Sequence, residues 1–345
     1  MTSFASVTVA SITLFRSCAN LGRAINDSSN KIRETVLEGI TTLSDLYGPN
    51  PAYGAEWLSL KAAWDTAIRS ISPITGPFTY EVKRMGGRQH NYDFLVTYKA
   101  VPLKDEPPAK NTRLAALLAA AAKRRAATPH ELKIEFKHGV TDISKMPQFL
   151  SLPANAELFG TSYAEFYYDN YLPSYLATDA DFPHAILDRD LYMRSIYQNN
   201  YDKNPFFRAL YNSESIKKSE KAAIVNRSIK AYLESLRTID LETLSARFES
   251  TQRDKHYLMW DTETFHHAEF KPEDLRLTAF ESIKNGNTLV FVSETMRFSC
   301  LLRWRNHKGI LLPAWQIKAC PLSKTRGKRT PAPSSTEPHC PQTSE

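Results

Sequence analysis

The chain reads as an α+β protein, a mixed sheet core flanked by helices with further helical and β-hairpin elements after it. Three observations predict this. Period-two apolar alternation marks strands between residues 78 and 139, three-to-four apolar spacing marks helices on both sides of them, and strand-like runs return between 286 and 318. Side chains alternate faces along a strand and recur every 3.6 residues on a helix, so the two patterns cannot both satisfy one element.

The first helix is expected from Ser28 through Glu38, opening on good cap residues with Ile32, Val36, Leu37 and Ile40 at helical spacing. Ala55 to Trp64 makes a second. Phe78 to Arg84 then forms a strand that ends at Gly86-Gly87, and Asn91 to Tyr98 returns beside it as a hairpin. Pro107-Pro108 breaks regular structure, and the Ala/Leu run from Arg113 to Arg125 favours helix, so residues 104–130 read as a helical insertion. A solvated insert is the preferred reading over a basic arm for nucleic acid. Leu132 to Gly139 is the next strand. Asp142 to Leu150 runs through a loop into a short helix, and the aromatics from Tyr163 to Leu172 recur at helical spacing, which favours core packing over base stacking.

Residues from 180 to 250 are helical in character, with Ile224, Val225, Ile229, Tyr232, Leu233 and Leu236 on one stripe and a second helix from Leu241 to Phe248. Thr288 to Val292, Phe298 to Arg305 and Ile310 to Ile317 read as strands, the last two as a hairpin with a four-residue loop over Asn306 to Gly309. The organisation is thus an N-terminal segment to residue 27, a core over 28–175, a helical region over 176–250, a β-rich region over 251–320 and a Pro/Ser/Thr-rich tail over 321–345.

At 345 residues with 42% hydrophobic content, the chain can bury a sizeable core. Its net charge of +7 suits a polyanionic partner without requiring one, and part of that excess sits in the tail between Lys324 and Arg329. Cys18, Cys300, Cys320 and Cys340 show no metal or disulfide spacing and read as free thiols of an intracellular, reducing compartment. Neither a membrane span nor a secretory signal is expected.

The chemistry lies in two of the predicted strands. Asp93 stands at the polar end of one, and Glu135-Phe136-Lys137 occupies the other, with Leu132, Ile134 and Phe136 on the opposite face. Two carboxylates and an ammonium on one face of a sheet suit metal-dependent phosphodiester hydrolysis. Glu-x-Lys also occurs at Glu81-Lys83, Glu131-Lys133 and Glu269-Lys271; the copy at 135 is selected by its alternating apolar neighbours, its Gly139 exit and the upstream Asp strand, while Glu131-Lys133 faces the same way and stays open as an alternative.

This arrangement resembles the PD-(D/E)xK superfamily of restriction-endonuclease-like nucleases, over residues 30 to 175 at most, with Tyr92 standing where that family often carries Pro. The resemblance implies a restriction-endonuclease-like mixed sheet, Mg²⁺ or Mn²⁺ held by Asp93 and Glu135, and Lys137 orienting water; it implies a metal-dependent nuclease acting on nucleic acid, DNA ahead of RNA. An additional acid would come from Glu34, Glu38 or Glu56, and Lys145 and Gln148 would line the site. Lys83, Arg84 and Arg88 would contact phosphates.

Two rivals follow from the same residues: a catalytically inactive nucleic-acid-binding relative, and a structural or interaction protein whose charges decorate a sheet. Asp261-Thr262-Glu263 looks like the first motif of DEDD exonucleases, but the later aspartates that fold needs are missing and the match is read as chance. His256, His266 and His267 lack a Cys or carboxylate at ligand spacing and are read as a surface hairpin rather than a zinc site.

Overall fold

Apolar alternation and register decide where the charged residues of this chain end up. The computed structural model describes residues 23–42, 54–85, 90–101, 129–154, 156, 158–177, 188–197, 217–307 and 310–322. Helices α1 (Arg23–Thr42) and α2 (Gly54–Ser70) precede strands β1 (Phe78–Arg84), β2 (Phe94–Ala100) and β3 (His130–His138). A short 3-10 turn (Ile143–Lys145) and β4 (Leu150–Pro153) lead into helices α3 (Tyr163–Asn170), α4 (Leu172–Leu176), α5 (Arg189–Tyr197), α6 (Lys218–Ser235) and α7 (Leu241–Gln252). Strands β5 (Lys255–Trp260) and β6 (Phe265–Glu269), helix α8 (Pro272–Leu275), and strands β7 (Ala279–Lys284), β8 (Thr288–Val292), β9 (Met296–His307) and β10 (Ile310–Pro321) follow. The protein is therefore α+β, with two sheets among the described residues.

The first sheet has the order β1-β2-β3-β5-β6, antiparallel throughout except for the parallel pair β3 and β5. A parallel neighbour needs a long crossover, and the chain supplies one in β4 and helices α3 to α7. Segments on both sides of the helical region thus share one sheet. The second sheet, β4-β10-β9-β8-β7, is antiparallel throughout.

One face of the first sheet lies under α1 and α2. Val36, Leu37 and Ile40 from α1 and Leu60, Trp64 and Ile68 from α2 join Val82, Phe94, Val96, Tyr98, Ile134, Phe136, Leu258 and Trp260 in one apolar cluster. Trp64 meets Phe94 and Phe265 edge-on at 5.8 and 5.4 Å, and the buried Tyr98 hydroxyl donates to the Ile68 carbonyl at 2.7 Å. The other face meets the larger cluster at β5 and β6, where Tyr257, Met259 and Ala268 pack with α3, α6, α7 and the second sheet. Strand β5 is buried on both faces. Farther out, Glu81, Lys83 and Lys99 on β1 and β2 are exposed.

Several boundaries differ from the sequence reading: β2 begins at Phe94, so Asp93 precedes the strand rather than lying in it, and the expected short helix after Asp142 is a 3-10 turn followed by β4. Helix α1 begins at Arg23, so Ser28 and Ser29 lie inside it rather than capping it; the stripe of Val36, Leu37 and Ile40 packing on the sheet outweighs their weak helix propensity. The β9-β10 ladder runs as far as His307 opposite Ile310, two residues beyond the expected four-residue loop, because each added pair satisfies backbone groups. The aromatics after Tyr163 pack as core: Tyr163 and Tyr167 are buried, and the Trp304 indole donates to the Tyr163 hydroxyl at 3.0 Å. Residues 104–128 of the expected insertion, the Gly86-Gly87 turn, Arg88 and the tail from residue 323 lie outside the described residues.

Candidate active site

The β2-β3 register determines the site. The ladder ends where Phe94 pairs with Ile134, and Asp93, one residue before it, lies near enough to the face of β3 that carries Glu135 for the two carboxylates to repel each other. Asp93 is held from three directions: its N–H donates to the Ile134 carbonyl at 2.9 Å, its carbonyl accepts from Met85 N–H at 2.8 Å, and its Oδ2 accepts from Phe136 N–H at 2.9 Å. Lys137, two residues beyond Glu135, shares that face and ion-pairs with Glu135 Oε1. Glu131 pairs with Thr97 and is exposed, four residues and about 13 Å along the strand from Glu135. The copy at Glu135 is therefore the one beside Asp93.

The parallel strand adds a residue that the sequence reading did not single out. Lys255, whose side chain is 4% exposed, donates to Glu135 Oε2 at 2.9 Å. Glu135 is thus clamped between two ammonium groups, its own side chain 15% exposed. The signal for Lys255 was present: it has the same parity as Tyr257 and Met259 at the head of an otherwise apolar strand. Recognising it required the β3-β5 pairing, a contact more than a hundred residues apart in the chain.

Electrostatics follow from this burial. Burial opposes ionisation of Glu135, but Lys137 and Lys255 overcome it and hold its carboxyl below the usual range. Burial would likewise discharge Lys137, yet Glu135 and Asp93 hold its pKa above normal and the ammonium stays protonated. Asp93 is pushed up to about 6, by burial first and then by the charge of Glu135. Glu34 on α1 is pushed up to about 7 by burial and next by Asp93, with Arg84 and Lys137 drawing it back. Helix α1 thus brings a third carboxyl to the cluster.

The remaining candidates separate by location. Glu38 accepts from the Arg84 backbone N–H at 3.3 Å and lies 3.8 Å from its guanidinium, while Arg84 also donates to Thr35 Oγ1; these contacts tie α1 to β1 at the border of the site. Glu56 falls in the first turn of α2. Lys145 donates to Thr141 Oγ1 at 2.9 Å and pairs with Asp142 at 3.5 Å, and its 3-10 turn packs on β10 of the second sheet beside Gln148. Lys83 is exposed on β1. Its ladder row runs Lys83, Leu95, Lys133, Lys255 across four strands, so three lysines line the row next to the carboxylates.

Asp261, the centre of the DEDD-like triplet, caps the β5-β6 turn instead: it accepts from Glu263 and Thr264 N–H at 2.9 and 2.8 Å and meets His266 Nε2 at 2.6 Å. On the helix-covered face, His256 and Glu269 are paired across β5 and β6, with His267 two residues farther along the same face of β6. Among the described residues, His256, His267 and Glu269 form the one group of three with potential ligand atoms all within 4.8 Å of one another. The expected surface hairpin is thus present, with a carboxylate within ligand reach.

Comparison with protein-family models, with curated proteins and with solved structures finds no match to this chain.

Proposed function

We propose that the chain is a metal-dependent nuclease with a restriction-endonuclease-like core, hydrolysing phosphodiester bonds in nucleic acid, DNA ahead of RNA. The observation that carries the reading is the charge cluster of Asp93, Glu135 and Lys137, with Glu34 adjoining. Order and direction of strands support it as well: an antiparallel hairpin, the Glu-x-Lys strand, then a parallel neighbour reached by a helical crossover.

The donor set fits Mg²⁺ or Mn²⁺. Both are hard ions that take carboxylate oxygens, and Mg²⁺ is typically bound through one or two carboxylates with waters completing the shell, so three converging protein ligands are not needed. Asp93 and Glu135 would hold the ion, with Glu34 as the additional acid. The ion would polarise a phosphate oxygen and acidify water. Lys137 stays protonated, which suits it to orient water and offset charge on the phosphate and unsuits it to be a base. Lys255 does not touch substrate in this reading; it fixes the Glu135 carboxylate as a positioning residue. Lys83 and Lys133, in the ladder row beside the carboxylates, favour a polyanionic substrate.

The test is cleavage of labelled single- and double-stranded DNA and RNA with Mg²⁺, Mn²⁺ or EDTA, comparing wild type with Asp93→Asn and Lys137→Met. Metal-dependent cleavage lost by at least about 100-fold in both variants is expected. Cleavage indifferent to both substitutions, or none on any substrate with either metal, sinks the proposal.

A further inference from the structure

The face of β5 and β6 that lies away from the carboxylates carries a second constellation. His256 Nδ1 is 3.0 Å from His267 Nε2 and 3.2 Å from Glu269 Oε2. Four ligands placed tetrahedrally about 2.05 Å from a zinc ion are about 3.3 Å apart, so both separations come close to edges of that tetrahedron. The two nitrogens and the carboxylate oxygen all lie within 4.8 Å of one another.

We propose that His256, His267 and Glu269 form a zinc site, independent of the carboxylate cluster on the opposite face. Register builds it. His256 and Glu269 face each other in the β5-β6 ladder, and the period of two puts His267 with them while His266 points to the other face and meets Asp261. The imidazole rings stack with centroids 5.2 Å apart and planes 25° from parallel. His256 is half-buried, whereas His267 and Glu269 are exposed, so an ion can enter from solvent without opening the core.

Donor chemistry sets the ion. Two borderline imidazole nitrogens with one carboxylate select Zn²⁺ and its late-transition neighbours over Mg²⁺, and three protein ligands leave a fourth position to water or an incoming group. Because the ligands come from β5 and the sheet-edge strand β6, the ion would pin that edge strand to its neighbour.

The test uses the full chain, stripped with chelator and titrated with Zn²⁺ by calorimetry, then with Co²⁺ for the visible absorption that reports low-coordinate geometry. One equivalent of Zn²⁺ is expected. Its affinity should fall in His267→Ala by more than the about 10–100-fold typical of losing an outer-sphere partner. Glu269→Gln should weaken it too. The control His266→Ala should leave it unchanged, as should Asp93→Asn, since neither residue belongs to the site. His267 is exposed, so the variant is expected to fold, and thermal unfolding of the ion-free forms checks this. The proposal is overturned if no stoichiometric Zn²⁺ binds, if His267→Ala binds like wild type, or if binding disappears in Asp93→Asn. That last outcome would move the metal to the carboxylate face and leave the nuclease reading standing.

Discussion

The two sheets share a core but spend their buried volume differently. The second sheet buries Leu289, Phe291, Phe298, Cys300, Leu302, Trp315 and Ile317, a set of predominantly apolar side chains held by close packing. The first sheet instead gathers the partly buried Asp93, Glu135 and Lys137 and the buried Lys255. Buried charges carry a desolvation cost that their pairing only partly offsets, so this region is less stable than an apolar version of itself would be. Charged groups gathered at that cost are the ones the proposed nuclease chemistry uses.

The sharpest way to break the contrast is to remove the residue at its centre. Glu135→Ala leaves Lys255 and Lys137 buried without their shared carboxylate, and the expected loss is about 3–5 kcal/mol, a large fraction of a typical domain's stability. Urea unfolding reads it as a lowered midpoint. Replacing Glu135 and Lys255 together by Leu and Met should recover most of that loss while leaving cleavage absent. If the double variant is no more stable than Glu135→Ala, the ion cluster contributes more than it costs and the contrast between the sheets fails.

A matched pair on the two sheets tests the same point with separate readouts. Phe298→Ala opens a cavity among Phe149, Phe248 and Phe291 and should cost about 3–5 kcal/mol with metal affinity of the folded fraction unchanged. Asp93→Asn keeps an acceptor for Phe136 N–H and removes a partly neutralised charge, so stability at neutral pH should hold or rise while Mg²⁺ affinity is lost. Calorimetric Mg²⁺ titration beside thermal unfolding separates the two. Equal loss of stability in both variants would contradict the division.

How much of this was legible in the sequence depends on the range of the interaction. The alternation of Leu132, Ile134 and Phe136 announced β3, and Gly86-Gly87 between two alternating segments announced the hairpin, because these signals are local. Choosing Glu135 over Glu131 needed the register, and that is set by which pairs satisfy the packing of Phe94 and Val96 under α2. Lys255 and Glu269 were missed for the same reason. Each gains its role from a strand distant in sequence or from a face that only pairing defines, so His267 beside His266 looked like a cluster whereas the two point apart. Glu34 stood among three equivalent acids until helix packing brought it to Asp93.

The smallest effect expected is also the one that reports the site without any substrate. Glu34 and Asp93 have folded pKa values raised to about 7 and about 6, above ordinary values of 4.5 and 3.8. As pH rises the unfolded chain sheds these protons first, so between about pH 4 and 7 the folded chain holds more of them. Their contribution to stability is fully present below that window and is lost as pH climbs through the folded values. His256 and His267, with lowered pKa values, pull the other way near pH 6 and are common to wild type and variant. The difference between wild type and Glu34→Gln cancels them. Wild type should lose stability relative to Glu34→Gln from about pH 4.5 to 7 and run parallel to it above, while Mg²⁺ binding by wild type should strengthen over the same range as the ion displaces the Glu34 proton. Curves parallel at every pH would mean that Glu34 titrates as an ordinary surface acid, and it would then drop out of the cluster.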